Sequence, residues 1–243
     1  MQEKVCGIVL STIPYKESSK ILNILTKEHG LIGVIAKGAS SMKSNLRAYT
    51  NNYTYGYFYI YYKEDKLSML SQVDIINTFS NIRLDIEKIS YLAYLCELSN
   101  QVLKQNNDNS IFDLLIEAIL KIENNFDPLI ITNIIELKYL DYLGISLNLD
   151  SCIKCYKKND IVTIDGDAGG YICKNCHTDE AIVDGKTLKM IRMYYYVDIK
   201  SISKINVSLK VKEEINRFIN TYYERYSGLY LKSKSFLENI INS

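Results

Sequence analysis

The chain has 243 residues, of which 47% are hydrophobic and 23% charged, with two prolines and a formal net charge of +1. Such a composition carries the core of one large or two modest domains and excludes a disordered chain. Its apolar runs, such as residues 129–135, are broken by Asn or Glu well short of the ~20 residues a bilayer span needs. No secretory leader pattern opens the sequence, so the expectation is a cytoplasmic protein with reduced thiols and no membrane partner.

The small net charge hides a division. Residues 1–78 hold nine cations against six anions, 79–151 five against eleven, 152–185 four against six, and 186–243 eleven against five. Basic ends and an acidic middle point to a polyanion-binding surface built from the ends, or to no more than solvated faces. Twenty-one tyrosines, many lysines and isoleucines and no tryptophan are the signature of an AT-rich coding sequence, so tyrosine abundance alone says little about base stacking.

In chain order, residues 3–13 are β-branched and close at Pro14, reading as a strand and turn. Residues 20–27 and 31–37 follow as strands around a Glu28-His29-Gly30 turn. From Tyr49 to Tyr62 there is no charge, and the spacing predicts a strand with Tyr53, Tyr55, Tyr57, Tyr59 and Tyr61 on one face and Phe58, Ile60 and Tyr62 on the other. A fifth strand covers 66–76. Five short strands with no room for crossover helices predict a small closed barrel of the five-stranded OB type.

After Asn77 the period changes from two to 3.6. Ile86, Ile89, Ala93, Cys96 and Leu103 mark one helix, and Ile111, Leu115, Ala118, Ile119 and Ile122 a second. Pro128 opens a third that ends before Gly144 and is apolar almost all round, the expected buried centre of a helical domain. Two more helices are predicted over 185–196 and 208–226. The fold class is therefore α+β and multidomain: a barrel domain over 1–79, then a helical domain over 80–243.

Between the third and fourth helices stand Cys152, Cys155, Cys173 and Cys176, two Cys-x-x-Cys pairs with seventeen residues between them. This is the spacing of a structural zinc site, in which each tight knuckle aims two sulfurs at one tetrahedral ion. Residues 161–164 read as a strand, 165–170 as a turn and Tyr171-Ile172 as the returning strand, making a ribbon inserted at about 148–182. Disulfides do not suit the expected compartment. A redox pair lacks its helix N-terminus, and a catalytic zinc lacks an H-x-E general base. His177 is a bystander or a substitute ligand.

No residues support catalysis or a small-molecule substrate. Gly185-Lys186-Thr187 lacks the earlier glycine of a phosphate loop, since Glu180 stands there. His29 and His177 have no nucleophile beside them to form a triad. Cys6 and Cys96 read as core thiols. What remains is binding. Lys16, Lys20, Lys27, Lys37, Lys43 and Arg47 cluster against only Glu17 and Glu28, and lysines of this kind neutralise phosphates. Tyr55, Tyr57 and Tyr59 are candidates for base stacking, or are core and cross-strand aromatics.

The arrangement resembles the bacterial RecO recombinational repair family. The likeness rests on the barrel, on the segment from Glu17-Ser18-Ser19-Lys20-Ile21 through Gly30 to Ala36-Lys37-Gly38-Ala39, and on the four-cysteine ribbon between helices. It implies a non-enzymatic mediator, nucleoid-associated, that binds single- and double-stranded DNA and anneals complementary strands. With RecR it would assist RecA, indirectly, onto strands coated by SSB. It also implies phosphate contacts from Lys20, Lys37, Lys43 and Arg47, and docking of the acidic SSB C-terminal tail on the helical domain, with Lys189 and Arg192 as its candidates. Family loops are richer in Arg and Lys than Ser40-Ser41-Met42, which implies weaker DNA binding by this barrel alone. The competing expectation is a zinc-ribbon adaptor in transcription or translation that binds proteins and touches little DNA.

Overall fold

Alternating apolar residues in the first third of the chain become five strands in the computed structural model, which describes residues 1–106 and 108–241. They are β1 (Gln2–Tyr15), β2 (Ser19–Thr26), β3 (Gly30–Ala36), β4 (Tyr55–Tyr61) and β5 (Ser68–Asn77), hydrogen-bonded in the order β1-β2-β3-β5-β4 and closed through β1 and β4. Among the described pairs of this barrel, β3–β5 alone is parallel. Val5, Val9, Leu22, Ile24, Val34, Phe58, Ile60, Leu70 and Val73 fill the interior.

Two strand ends differ from the sequence expectation. β1 continues through Pro14, which pairs with Lys20. Beyond Ile8 β1 has lost β4 as a neighbour, so proline's missing N–H breaks no ladder on that side. β4 starts at Tyr55, not near 49. Residues 45–47 form a 3-10 turn capped by the Ser44 hydroxyl, and Tyr53 takes φ of 64°, so the chain turns at Asn51-Asn52 before the strand begins. Within β4 the predicted alternation holds: Gly56, Phe58 and Ile60 are buried and Tyr57 and Tyr61 exposed.

After the barrel come α1 (Ser80–Arg83), α2 (Ile86–Gln105), α3 (Ser110–Glu123), α4 (Pro128–Tyr142), the strands β6 (Asn148–Cys152), β7 (Ile161–Asp165) and β8 (Gly170–Cys173), then α5 (Gly185–Tyr196), α6 (Leu209–Tyr226) and α7 (Lys232–Ile241). Asp85 and Asp127 cap α2 and α4 through side-chain oxygens that accept from backbone N–H groups. α2 buries Tyr91, Leu92, Leu95, Leu98 and Val102 together with the expected Cys96 and Leu103. Ile89 and Ala93 are half-buried and Ile86 is solvent-exposed, so the expected stripe is displaced at its start only. α2 is apolar on more than one side, and tertiary packing chose among those sides. α3 buries all five expected residues. α4 has ten buried positions and ends at Tyr142, two residues before Gly144, whose φ of 71° suits a helix stop.

Packing divides the chain into Met1–Asn124 with the segment from Ser233 onward, and Asn125–Lys232. In the first unit the Glu123 carboxylate accepts from the backbone N–H groups of Asn81 and Ile82, fastening α3 to the barrel exit. The Ser233 N–H donates to Glu97 at 2.7 Å, holding the start of α7 to α2. In the second unit α4 packs on α5 and α6, where the Tyr223 hydroxyl donates to the Glu136 carbonyl. The three-stranded sheet, in the order β6-β8-β7, lies between α4 and α5 in the chain. β6 and α7 carried no sequence signal. No described helix is long and apolar enough to cross a membrane.

Candidate metal centre and nucleic-acid interface

The second unit gathers Cys152, Cys155, Cys173 and Cys176 with all four sulfurs within 4.8 Å of one another. Local turns make this possible. The Tyr156 N–H donates to the Cys152 carbonyl at 2.7 Å, and the Cys176 N–H to the Cys173 carbonyl at 3.0 Å, so each pair is a closed knuckle. Cys155 Sγ lies 3.6 Å from Cys173 Sγ. That is far beyond a disulfide bond and close to the edge of about 3.8 Å of a tetrahedron with metal–sulfur bonds of about 2.3 Å. All six cysteines are free thiols.

Burial alone would raise the Cys152 thiol, but the N–H groups of Cys173, Cys155 and Lys154 directed at its sulfur prevail and bring it down to about 6. Cys176 is held up to about 12, first by its thiol hydrogen bond to Cys155 and then by burial. Four sulfurs this close cannot all ionise without a cation among them, and a thiophilic dication answers that need. The donor set therefore fits a closed structural metal site, with no position left for a reacting molecule. His177 is not part of the gathered set, and its Nε2 lies 2.7 Å from the Glu180 carbonyl. Lys154 ties the knuckles together, donating to Glu180 at 3.0 Å and to the Cys176 carbonyl at 3.3 Å.

In the first unit the barrel lysines separate into held and free groups. Lys20 and Arg47 line one open groove of about 700 Å³ with Ser40, Met42, Ser44, Ala48 and Asn51. Lys20 donates to the Thr50 carbonyl at 3.3 Å and to Asn51 at 3.4 Å, and the Arg47 guanidinium lies on the Met42 sulfur. The Ser40 N–H donates to the Ser18 carbonyl at 2.8 Å, which brings the 37–44 loop against the β1–β2 turn that carries Lys16. Lys16, Lys37 and Lys43 are exposed. Lys27 is committed elsewhere, to Asp113 at 3.0 Å.

The three candidate tyrosines part company. Tyr57 and Tyr59 lie on the barrel exterior beside Lys4, whose ammonium is 3.9 Å from the Tyr57 ring centroid and 5.8 Å from that of Tyr59. Tyr59 donates its hydroxyl to Asp74 at 2.8 Å, so a carboxylate shares that face. Tyr55 is packed between Phe79 and Phe112, with ring centroids at 6.2 and 6.5 Å, and its hydroxyl accepts from the Cys6 thiol. It is half-buried and acts as a packing residue.

On α5, Lys189 lines a groove of about 260 Å³ with Lys186, Met190, Asn206, Val207, Ser208 and Val211. Arg192 turns to the ribbon instead, donating to the Leu149 carbonyl at 3.1 Å and to Asp150 at 2.9 Å with its guanidinium over Tyr196. Lys4 and Lys186 escaped sequence reasoning. Lys4 stands alone in its stretch, and Lys186 sits in a false phosphate-loop match, so no local pattern singled them out.

A small closed barrel, a set of helices and a metal-compatible four-thiolate ribbon, in two compact units, place this chain among mixed α+β proteins. Family comparison makes the class specific: residues 1–79 match the model "Recombination protein O N terminal" and residues 83–235 match "Recombination protein O C terminal". The chain is 34% identical over 242 residues to the DNA repair protein RecO of Listeria monocytogenes serotype 4a, covering 98% of this chain and 94% of that one. It is 33% identical over 244 residues to the proteins of the same name from Halalkalibacterium halodurans and Bacillus subtilis, covering 99% of this chain and 96% and 95% of theirs. The chain belongs to the RecO family, and its role is in DNA repair.

Proposed function

We propose that this chain is a non-enzymatic recombination mediator whose OB-type barrel, residues 1–79, binds single- and double-stranded DNA. The observation that carries the reading is the groove of Lys20 and Arg47 at the barrel end where Lys37 and Lys43 are exposed and Lys16 lies over the Tyr15 ring, none of them paired with a described carboxylate. Ammonium groups unpaired with carboxylates release condensed counterions when they meet phosphates, which gives affinity without sequence preference. Tyr57 and Tyr59 supply exterior ring faces for bases. A surface that holds strands by phosphate and ring face leaves their pairing edges open, which is what annealing requires.

The four thiolates hold zinc in a structural role, and zinc supplies the cross-link that fixes the two knuckles. The helical domain, residues 80–243 with the ribbon inserted at about 148–182, docks the acidic, hydrophobic SSB tail. Lys186 and Lys189 above Met190, Val207 and Val211 offer charge with an apolar floor. Arg192, already engaged by Asp150, is the weaker of the two sequence candidates. With RecR the chain assists RecA onto SSB-coated strands, at the nucleoid in the cytoplasm.

The test is annealing of complementary labelled strands precoated with SSB, followed by energy transfer between the labels. The reading predicts faster annealing with the chain present and retention of the chain on single-stranded DNA until the salt is raised. No acceleration and no retention would favour the protein-binding adaptor.

A further inference from the structure

We propose a second single-strand contact at the tip of the thiolate ribbon, formed by Tyr156 with Lys157, Lys158 and Lys174. The proposal rests on the nucleic-acid reading above but concerns a different part of the chain.

The ribbon segment is acidic in sum, yet all four of its lysines fall in or beside the cysteine knuckles, where Asp160, Asp179 and Glu180 also stand. Asp165 and Asp167 lie at the opposite turn, where Asp167 pairs with Arg225. Lys154 is used internally by Glu180. Lys157, Lys158 and Lys174 are exposed, and no described carboxylate lies within ion-pair distance of them. Backbone bonds hold them to the knuckles: the Cys152 N–H donates to the Lys157 carbonyl and the Lys174 N–H to the Asp160 carbonyl, each at 2.8 Å.

Between them projects Tyr156, 76% exposed and with φ of 63°. This left-handed conformation favours glycine, because a Cβ crowds the backbone there. A bulky ring in solvent at a glycine-type position contributes neither packing nor backbone ease, and the knuckle aims it outward. The half-buried Ile153 of the same knuckle is folded against Gly170. A lone exposed ring flanked by free ammonium groups is the combination that holds single-stranded nucleic acid, by stacking and phosphate neutralisation.

Positive φ also supplies a clean test. Tyr156→Gly removes the ring while relaxing the backbone, so the knuckle still folds. Three variants of the 243-residue chain would be compared with the parent by anisotropy of labelled oligo(dT) across salt: Tyr156→Gly, Lys157→Ala/Lys158→Ala/Lys174→Ala, and the barrel pair Lys37→Ala/Lys43→Ala. Zinc content and melting temperature serve as controls of folding. Tyr156→Gly is expected to weaken binding about tenfold with the salt slope unchanged. The triple variant is expected to flatten the slope by about 2, and its loss should multiply with that of the barrel pair. If both ribbon variants bind as the parent does while the barrel pair weakens, the ribbon contact is overturned and the barrel reading stands. A parent that binds no oligonucleotide at any salt overturns both. Ribbon variants that lose an acidic peptide but keep DNA would assign the tip to a protein and overturn the proposal.

Discussion

Cys155 Sγ faces Cys173 Sγ across 3.6 Å, one sulfur from each knuckle of the ribbon. The two belong to different turns of chain separated by β7 and the hairpin, so only a shared ion can hold them there as thiolates. The chain purified under reducing conditions is expected to contain about one zinc per molecule. Cys155→Ser or Cys173→Ser should abolish stoichiometric metal by elemental analysis and lower the melting temperature, because metal binding and ribbon folding are one equilibrium. Chelation should do the same to the parent and nothing further to the variants.

Glu180 makes the ribbon acid-sensitive in a second way. The N–H of Thr178 and the ammonium of Lys154 hold its carboxyl at about 2, below the ordinary 4.5. A depressed carboxylate stabilises the fold fully above its unfolded value and loses that contribution as pH falls through the folded one. The stability gap between the parent and Glu180→Gln should therefore be widest above pH 5 and close towards pH 2. A gap of constant size across that range in chemical denaturation would contradict the assignment. Thiol protonation acts on both proteins alike, so the difference isolates Glu180.

Tyr55 and Tyr57 sit two residues apart on one strand face and should answer oppositely to truncation. Tyr55 is half-buried and packed on Phe79 and Phe112, so Tyr55→Ala should cost about 2 kcal/mol of stability. Tyr57 is 38% exposed against Lys4. Tyr57→Ala should leave stability within about 0.5 kcal/mol while weakening single-strand binding by about 1 kcal/mol or more. Denaturant titration and anisotropy on the same two variants check this.

A Cβ at Gly56 would stand 2.4 Å from the Asp74 carbonyl oxygen, beside the bulge where β4 and β5 shift register. Backbone cannot yield there as a flexible side chain would. Gly56→Ala is expected to destabilise the barrel by about 1–3 kcal/mol and to leave zinc content unchanged, since the thiolates lie in the other unit.

These elements also show what could be read before the fold was seen. The cysteine spacing is local chemistry and was fully legible, as was the inside–outside alternation of Phe58 and Ile60 against Tyr57. The packing of half-buried Tyr55 was not, because one of its partner rings, Phe112, is fifty-seven residues away in sequence. The displaced start of the α2 stripe has the same origin, since an apolar helix offers several faces and only its neighbours choose one. Lysine clustering was visible, but which ammonium groups are free depends on partners such as Asp113 for Lys27. Exposed Tyr156 was missed because nothing in Cys-Tyr-Lys-Lys announces a positive φ.

The most direct test of the central claim is the salt dependence of single-strand binding by the parent and by Lys37→Ala/Lys43→Ala. Both lysines are exposed and outside the barrel core, so their loss leaves the fold intact. The account predicts that log affinity falls with log salt at a slope of about −5, as for four phosphate contacts in the barrel and three at the ribbon tip, and that the double variant flattens it by about 1.4. Unchanged affinity and slope in the variant would contradict the barrel groove as the DNA platform.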